Sequence, residues 1–332
     1  MATLSAVNPT LIDLAKASDP DGKIAAVIEI LNQNNEILDD ITYIEGNLTT
    51  GHRSTIRTGI PAATWRKLYG GVQPTKGTTA QIQDACGMLE AYAEVDKALA
   101  DLNGNAAAFR LLEDRAHIEG MGQQLATALF YESEALNPER ITGFAPRYNL
   151  LSAVNGENII VGGGAGADNT SIWLVCWSPN TVHGIIPKGS IAGMQVNDKG
   201  QVTIENVDGA GGRMEAYRTH YRLDSGLCLR DWRYVVRICN IDKSALTKDA
   251  SAGADLIDLM VQAIELIPNM NMGRPVFYCS RTIRSFLRRQ IANRTINATI
   301  TMETVAGRRV VAFDGISVRR VDALAADEAL VA

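Results

Sequence analysis

The stretch 156-GENIIVGGGAGADNTSIWLVCWSPN-180 sets a glycine cluster between two apolar runs, and its reading decides between two kinds of fold. A Walker loop needs Lys and then Ser or Thr after its last glycine, followed by a helix whose N-terminus faces the phosphates. A dinucleotide fingerprint needs that helix too. Here Gly162 to Gly166 is followed by Ala167, Asp168 and Asn169, and then by SIWLVCW, whose β-branched and aromatic residues predict a strand. The glycines are therefore read as an inter-strand loop that binds no nucleotide.

Period-two patterns surround that loop. NIIVGG, SIWLVCW, VHGIIP, QVTIENV, EAYRTHYRL and LCLRDWRYVVRICNI predict strands from Ile141 onward, parted by turns such as NDKG and DGAGG. In the last of them Trp232, Tyr234, Val236 and Ile238 share a face. Helical spacing returns at 254–267, stopped by Pro268, and at 280–293 after the short strand PVFYC; strands and turns follow to the end. Upstream, Ile24, Val27, Ile28, Leu31 and Leu38 predict a helix over 23–38 that stops at Asp39-Asp40, a pair read as a solvated helix end. Residues 81–102 are read as a helix with Ile82, Cys86, Leu89, Ala93 and Leu99 on one face. Asn105 caps a long helix over 105–133, with Leu111, Ile118, Leu125 and Leu129 as its buried stripe, and a length of roughly 45 Å. The pattern predicts an α+β protein.

Charge is distributed in blocks. Residues 46–83 hold no acid but carry Arg53, Arg57, Arg66, Lys67 and Lys76, whereas 84–139 carry eleven acids against three bases. Residues 46–77 also have too few large apolar side chains to form a core of their own, with Pro61 and Pro74 interrupting them. A segment of this length without a core is functional, disordered, or packed on something else. Strands flanking GIPAA predict a projecting hairpin, and the acidic helical region supplies complementary charge, with Glu113, Asp114 and Glu119 as candidate partners.

Catalytic patterns do not emerge. His52, His117, His183 and His220 are dispersed and match no zinc spacing, so no metal site is expected. There is no nucleophile elbow, and DPDGK at Asp19 lacks the other ligands of a calcium loop. Five scattered cysteines without a CxxC pair predict reduced, buried thiols. No apolar run reaches membrane-spanning length, and neither membrane nor secretory targeting is expected. On the helix at 280–293, Arg281, Arg284 and Arg288 form one stripe, with Arg289 and Arg294 beside it, opposite Ile283, Phe286, Leu287 and Ile291. This face is read as solvated or subunit-facing, with contact to duplex nucleic acid as the alternative.

Several stretches together resemble the major capsid proteins of tailed bacteriophages, and of short-tailed phages most of all: GHRSTIRTGIP at 51–61, WRKLYGGVQPTKG at 65–77, NPERITGFAPRYN at 137–149, GLCLRDWRYVVRICNID at 226–242 and VVAFDGISVRRVDALAADEALV at 310–331. The resemblance covers nearly the whole chain. It implies the Johnson fold, divided here as an amino-terminal arm and helix (1–45), an extended loop or E-loop (46–80), a peripheral domain with a spine helix at 105–133 (81–238), an axial domain (239–315) and a returning carboxy-terminal segment (316–332). It further implies self-assembly as hexamers and pentamers into an icosahedral shell around double-stranded DNA, inside a virion assembled in the host cytoplasm. No cofactor is implied. A separate scaffolding protein and a portal are expected partners, with a cementing protein a further one. Two readings from other classes stand beside it: an α+β nucleotide-binding enzyme using Gly162–Gly166, and a nucleic-acid-binding protein using the Arg281–Arg294 helix.

Overall fold

Period-two sequence dominates the fold: the computed structural model describes residues 33–102, 105–206, 211–293, 300–305 and 308–332. In chain order the described strands are β1 Tyr43–Glu45, β2 Gly51–Gly59, β3 Thr78–Asp96, β4 Ile159–Val161, β5 Asn169–Trp177, β6 Val182–Ile186, β7 Met194–Glu205, β8 Arg213–Leu229, β9 Val235–Asp242, β10 Arg274–Cys279, β11 Ile300–Val305, β12 Arg308–Phe313 and β13 Ile316–Arg320. The helices are α1 Ile37–Asp40, α2 Lys97–Asp101, α3 Ala106–Tyr131, α4 Phe144–Arg147, α5 Leu256–Glu265 and α6 Arg281–Asn293. The strands expected from Ile141 onward and both later helices are present, with two differences: NDKG, expected as a turn, lies inside β7 as a bulge between Asp198 and Gly200, and Trp232–Tyr234 form a 3-10 turn between β8 and β9 instead of sharing the strand face of Val236 and Ile238. The helix expected over 23–38 lies mostly outside the described residues, and Arg294 lies outside them too.

The chain forms two compact units. The larger is built from Asn34–Gly87, Ala126–Ser190 and Ser225–Ala332. Its centre is the antiparallel pair β5–β9, extended beyond β5 by β10, β13, β12 and β11 and beyond β9 by β4, with β6 pairing the end of β5 at Trp177. Every residue of β5 is buried, so it is covered on both faces, with three polar residues, Asn169 to Ser171, leading into the apolar run Ile172–Trp177. α5 and α6 cover one face through Leu256, Met260, Ala263, Ile283 and Leu287, packed on Ile172, Leu174, Val236 and Phe277. Asp255 caps α5 by accepting from Asp258 N. The chain end returns to this core: Asn240 donates to Val331 O and accepts from Val331 N, and Thr170 donates to Ala325 O.

The smaller unit contains Gln33, Met88–Leu125 and Ile191–Asp224. β7 and β8 form a long antiparallel ribbon here, and Ala93, Met121, Tyr221 and Leu223 make one small core while Val95, Ala100 and Phe109 make another.

Two expectations are corrected. Residues 81–96 are not helical: they continue β3, a neighbour of β8 that pairs β2 as far as Ala85, and only Lys97–Asp101 turns helical, capped by Asp96. Ala, Gln, Leu and Glu favour a helix in isolation, but strand pairing overrides propensity. The alternation Leu89, Ala91, Ala93, Val95, all turned to the unit's core, is the period-two signal that the alanines obscured. The second correction concerns the long helix. Asn105 does cap it, accepting from Ala108 N at 3.2 Å, but Leu111 and Ile118 are exposed. The inward face of this stretch runs instead through Phe109, Glu113, His117 and Met121 at four-residue spacing, with His117 stacked on Tyr221. Leu125, half-buried against the Met121 core, and Leu129, fully buried, keep their expected places, so the departure is confined to Leu111 and Ile118 in the first half of the helix.

Asp39-Asp40 is a third departure. Asp40 is 4% exposed, accepting from Arg274 at 2.5 Å and Tyr278 at 3.1 Å and pairing with Arg319 at 3.2 Å. Burial pushes its carboxyl up, opposed by the two guanidiniums.

Candidate assembly interface

The hairpin strands β2 and β3 pair in antiparallel register from Gly51↔Ala85 to Gly59↔Thr78, with a bulge between Arg57 and Gly59. Their inner end is held to the larger unit. Gly51 can carry no side chain, since a Cβ there would lie 2.1 Å from Asp84 O, and Asp84 itself accepts from Arg147 at 2.8 Å. Beyond Gly59 all order of this kind stops: every residue from 60 to 77 is exposed.

The tip carries what charge counting missed. Trp65 and Tyr69 are 101% and 103% exposed, and Ile60, Leu68 and Val72 are exposed around them. A cluster of large apolar side chains in water, on a segment with no core, marks a surface made for a partner. The signal was legible as WRKLY, an aromatic pair spaced four apart beside two bases. Arg53 donates to Gln83 at 3.2 Å and Arg66 to the Lys67 carbonyl at 3.4 Å. Among the described residues Arg53, Arg57, Arg66, Lys67 and Lys76 form no ion pair. Five exposed cations with no carboxylate partner are an electrostatic half-surface.

The acids named as candidate partners lie half-buried on α3 in the smaller unit. Glu119 accepts from Gln33 N at 3.1 Å and Gln123 at 2.9 Å. Asp114 stands beside Tyr221, whose hydroxyl is pushed up by burial and by that carboxylate. Glu113 lies on the inward face with Phe109.

Gly162 to Gly166 answers the question its sequence posed. β4 runs parallel to β9, and the glycines continue alongside it: Gly162 N and Gly164 N donate to the Cys239 and Asn240 carbonyls, both at 2.8 Å. A Cβ on Gly164 would meet Asn240 O and Asp242 N at 2.6 Å. The N–H groups that would cradle a phosphate are spent on the neighbouring strand. The arginine stripe of α6 is as expected: Arg281, Arg284, Arg288, Arg289 and Arg320 line an open groove of about 800 Å³, and Arg284 approaches Glu36 at 3.9 Å. All five cysteines are reduced. Burial raises the Cys176 and Cys239 thiols to about 11 and the Cys279 thiol to about 12, so they are inert at neutral pH. The histidines are less dispersed than expected, since His52 and His183 stand 5.8 Å apart, ring to ring.

The sequence profile of the family described as major capsid protein GP7 matches residues 19–332. Among solved structures, the chain is similar to that of bacteriophage Epsilon15 at near-atomic resolution, with 37% identity over 100% of both chains and a TM-score of 0.79. More distant likenesses are the bacteriophage JBD30 capsid (10% identity, 96% of this chain and 99% of that one, TM-score 0.48) and the capsid of the native GTA particle (10% identity, 68% and 95%, TM-score 0.46). No curated protein sequence matches significantly.

Proposed function

Since the chain belongs to the major capsid protein GP7 family, we propose that its exposed hairpin is the part by which one subunit of the shell holds the next. The protein is structural and not an enzyme; its α+β fold is that of tailed-phage capsid proteins, and it forms the icosahedral shell of a tailed phage as hexamers and pentamers of itself, a component of the virion. The nucleotide-binding and nucleic-acid-binding alternatives find no support in this family.

The observation that carries the hairpin reading is the tip: large apolar side chains and unpaired cations, exposed together over 60–77. Apolar contact supplies affinity, and unpaired cations supply register and orientation. On this reading residues 46–80 act as the E-loop, 1–45 as the arm, 81–238 as the peripheral and 239–315 as the axial domain, and 316–332 as the returning segment. A separate scaffolding protein, a portal, a cementing protein and packaged double-stranded DNA held without sequence specificity complete the partners, with assembly in the host cytoplasm; the family resemblance supports these.

The test is Arg53→Glu combined with Arg57→Glu. The subunit should keep its circular dichroism and fail to form normal shells in negative-stain microscopy, with partial rescue by Lys at Glu113, Asp114 or Glu119. Normal shells from the double variant at ordinary salt would refute the electrostatic part. An assembled-particle map with the tip folded onto its own subunit would refute the rest.

A further inference from the structure

Three side chains far apart in sequence meet at the root of the hairpin. His52 on β2, His183 on β6 and Cys228 on β8 each offer one ligand-capable atom, and these atoms lie within 4.8 Å of one another. Strand register builds the meeting: His183 stands opposite Cys228 on the antiparallel pair β6–β8, and the His52 and His183 rings meet edge to face. His183 and Cys228 are 1% and 0% exposed, while His52 is half-buried at the edge.

Packing accounts for Cys228, whose Sγ meets Ser54 Oγ at 3.6 Å, but not for the two imidazoles. Nδ1 of His52 and Nδ1 of His183 are both buried without a hydrogen-bond partner. Protein interiors pair nearly all such atoms, and two orphans in one cluster call for a missing partner. His183 is nearly fully buried, so its unpartnered Nδ1 has no water to turn to. Asp84, 4% exposed, lies behind the cluster and accepts from Arg147 at 2.8 Å and Leu229 N at 3.3 Å.

We propose that His52, His183 and Cys228 bind a divalent, borderline-soft transition-metal ion of the zinc class. Two imidazoles and one thiolate suit that class, and a fourth position is left for water on the half-buried His52 side. With the ligand atoms all within 4.8 Å of one another, their separations exceed the edges of a zinc tetrahedron by at most about 1.4 Å, which side-chain rotations of His52 and Cys228 would have to close. Binding breaks the Cys228 S–H bond and forms a sulfur–metal bond, with the proton released to solvent. The thiolate offsets one of the ion's two positive charges; the Asp84 carboxylate behind it is already paired with Arg147. The ion would fasten the first strand of the hairpin to β6 and β8, whatever the tip touches.

The experiment uses untagged full-length protein, unassembled and as shells, with Zn²⁺ or Co²⁺ alone as probe. We expect about one zinc per chain by mass spectrometry after gel filtration, and a cobalt adduct with thiolate-to-metal charge transfer. Cys228→Ser should abolish that charge-transfer band. His52→Asn should fold normally and bind about 10- to 100-fold more weakly, or less still. Wild-type protein that retains no zinc and gives no cobalt band overturns the proposal, as does a cobalt band unchanged in Cys228→Ser. Should Cys228→Ser fail to fold, unchanged metal affinity in His52→Asn overturns it by itself. Because the readout is metal content, failure here leaves the reading of the hairpin tip intact.

Discussion

Arg237 and Glu328 meet at 2.8 Å with both side chains 5% exposed, joining β9 to the last residues of the chain. Ser171 also donates to Glu328, Tyr131 donates to its other oxygen at 2.5 Å, and the guanidinium lies over the Trp173 ring at 5.0 Å. A buried pair is costly to halve, because the survivor keeps its desolvation cost and loses its partner. Glu328→Ala should destabilise the subunit by about 3–5 kcal/mol in chemical denaturation. Replacing Arg237 by Met in the same chain should recover a large part of that loss. A single variant within about 1 kcal/mol of wild type would show that the network does not anchor the chain end.

Two apolar residues on the long helix should behave oppositely. Leu129 is fully buried, so Leu129→Ala should cost about 2–5 kcal/mol. Ile118 is 41% exposed, and Ile118→Ala should change subunit stability by no more than about 0.5 kcal/mol. Equal costs by thermal or denaturant unfolding would restore the stripe that sequence spacing suggests and refute the inward face through Phe109 and Met121.

That departure marks where the sequence is legible and where it is not. β5, β9 and β10 read correctly because each carries a run of apolar and aromatic residues (Ile172–Trp177, Val235–Val236 with Ile238–Cys239, Val276–Cys279) that packing buries. β3 misled because Ala, Leu and Glu carry helix propensity, and its partners β2 and β8 are distant in sequence. Asp40 looked solvated because Arg274, Arg319 and Tyr278 are brought to it only by folding. The charge on the hairpin could be read residue by residue, whereas the meeting of His52, His183 and Cys228 depends on strand register, which periodicity does not encode.

The glycine loop gives a prediction with opposite outcomes for its two readings. Gly164→Ala places a Cβ 2.6 Å from two backbone atoms and should destabilise by about 1–3 kcal/mol. Gly163, with φ +80° and open space around it, should cost about 1–2 kcal/mol through its left-handed backbone alone. Neither change should alter equilibrium dialysis with ATP, GTP or NAD, where wild-type protein is expected to bind nothing. Specific nucleotide binding lost on either substitution would overturn the strand-packing account.

At the hairpin tip, Trp65→Ala with Tyr69→Ala should leave subunit stability within about 0.5 kcal/mol, since both side chains are fully exposed. Assembly yield by sedimentation should fall sharply. Wild-type yield would mean that the aromatic pair makes no contact between subunits.

Asp198 supplies a test by pH. Its carboxyl is held below the usual 3.8, first by the hydrogen bond from Arg110 and then by Gly200 N. A depressed carboxylate contributes stability that is present above its unfolded value and is lost as pH falls through the folded one. Asp198→Asn should therefore weaken the subunit near neutral pH by no more than about 1 kcal/mol, the carboxylate being more than half exposed. Denaturation at a series of pH values should show that difference vanishing below the carboxylate range. A difference independent of pH would assign the effect to packing.

β3 is a single uninterrupted strand of nineteen residues, from Thr78 at the base of the exposed tip to Asp96 at the first turn of α2. At about 3.3 Å per residue it is roughly 60 Å of backbone, and an extended chain has almost no slack along its axis. It is a tether as much as a wall. If a neighbouring subunit holds the tip as proposed, tension there would run along peptide bonds to Ala93 and Val95 without passing through a loop. Capture of the tip should thus slow amide exchange at those two distant positions, and the small cores around them become the place where a subunit registers that it has been joined.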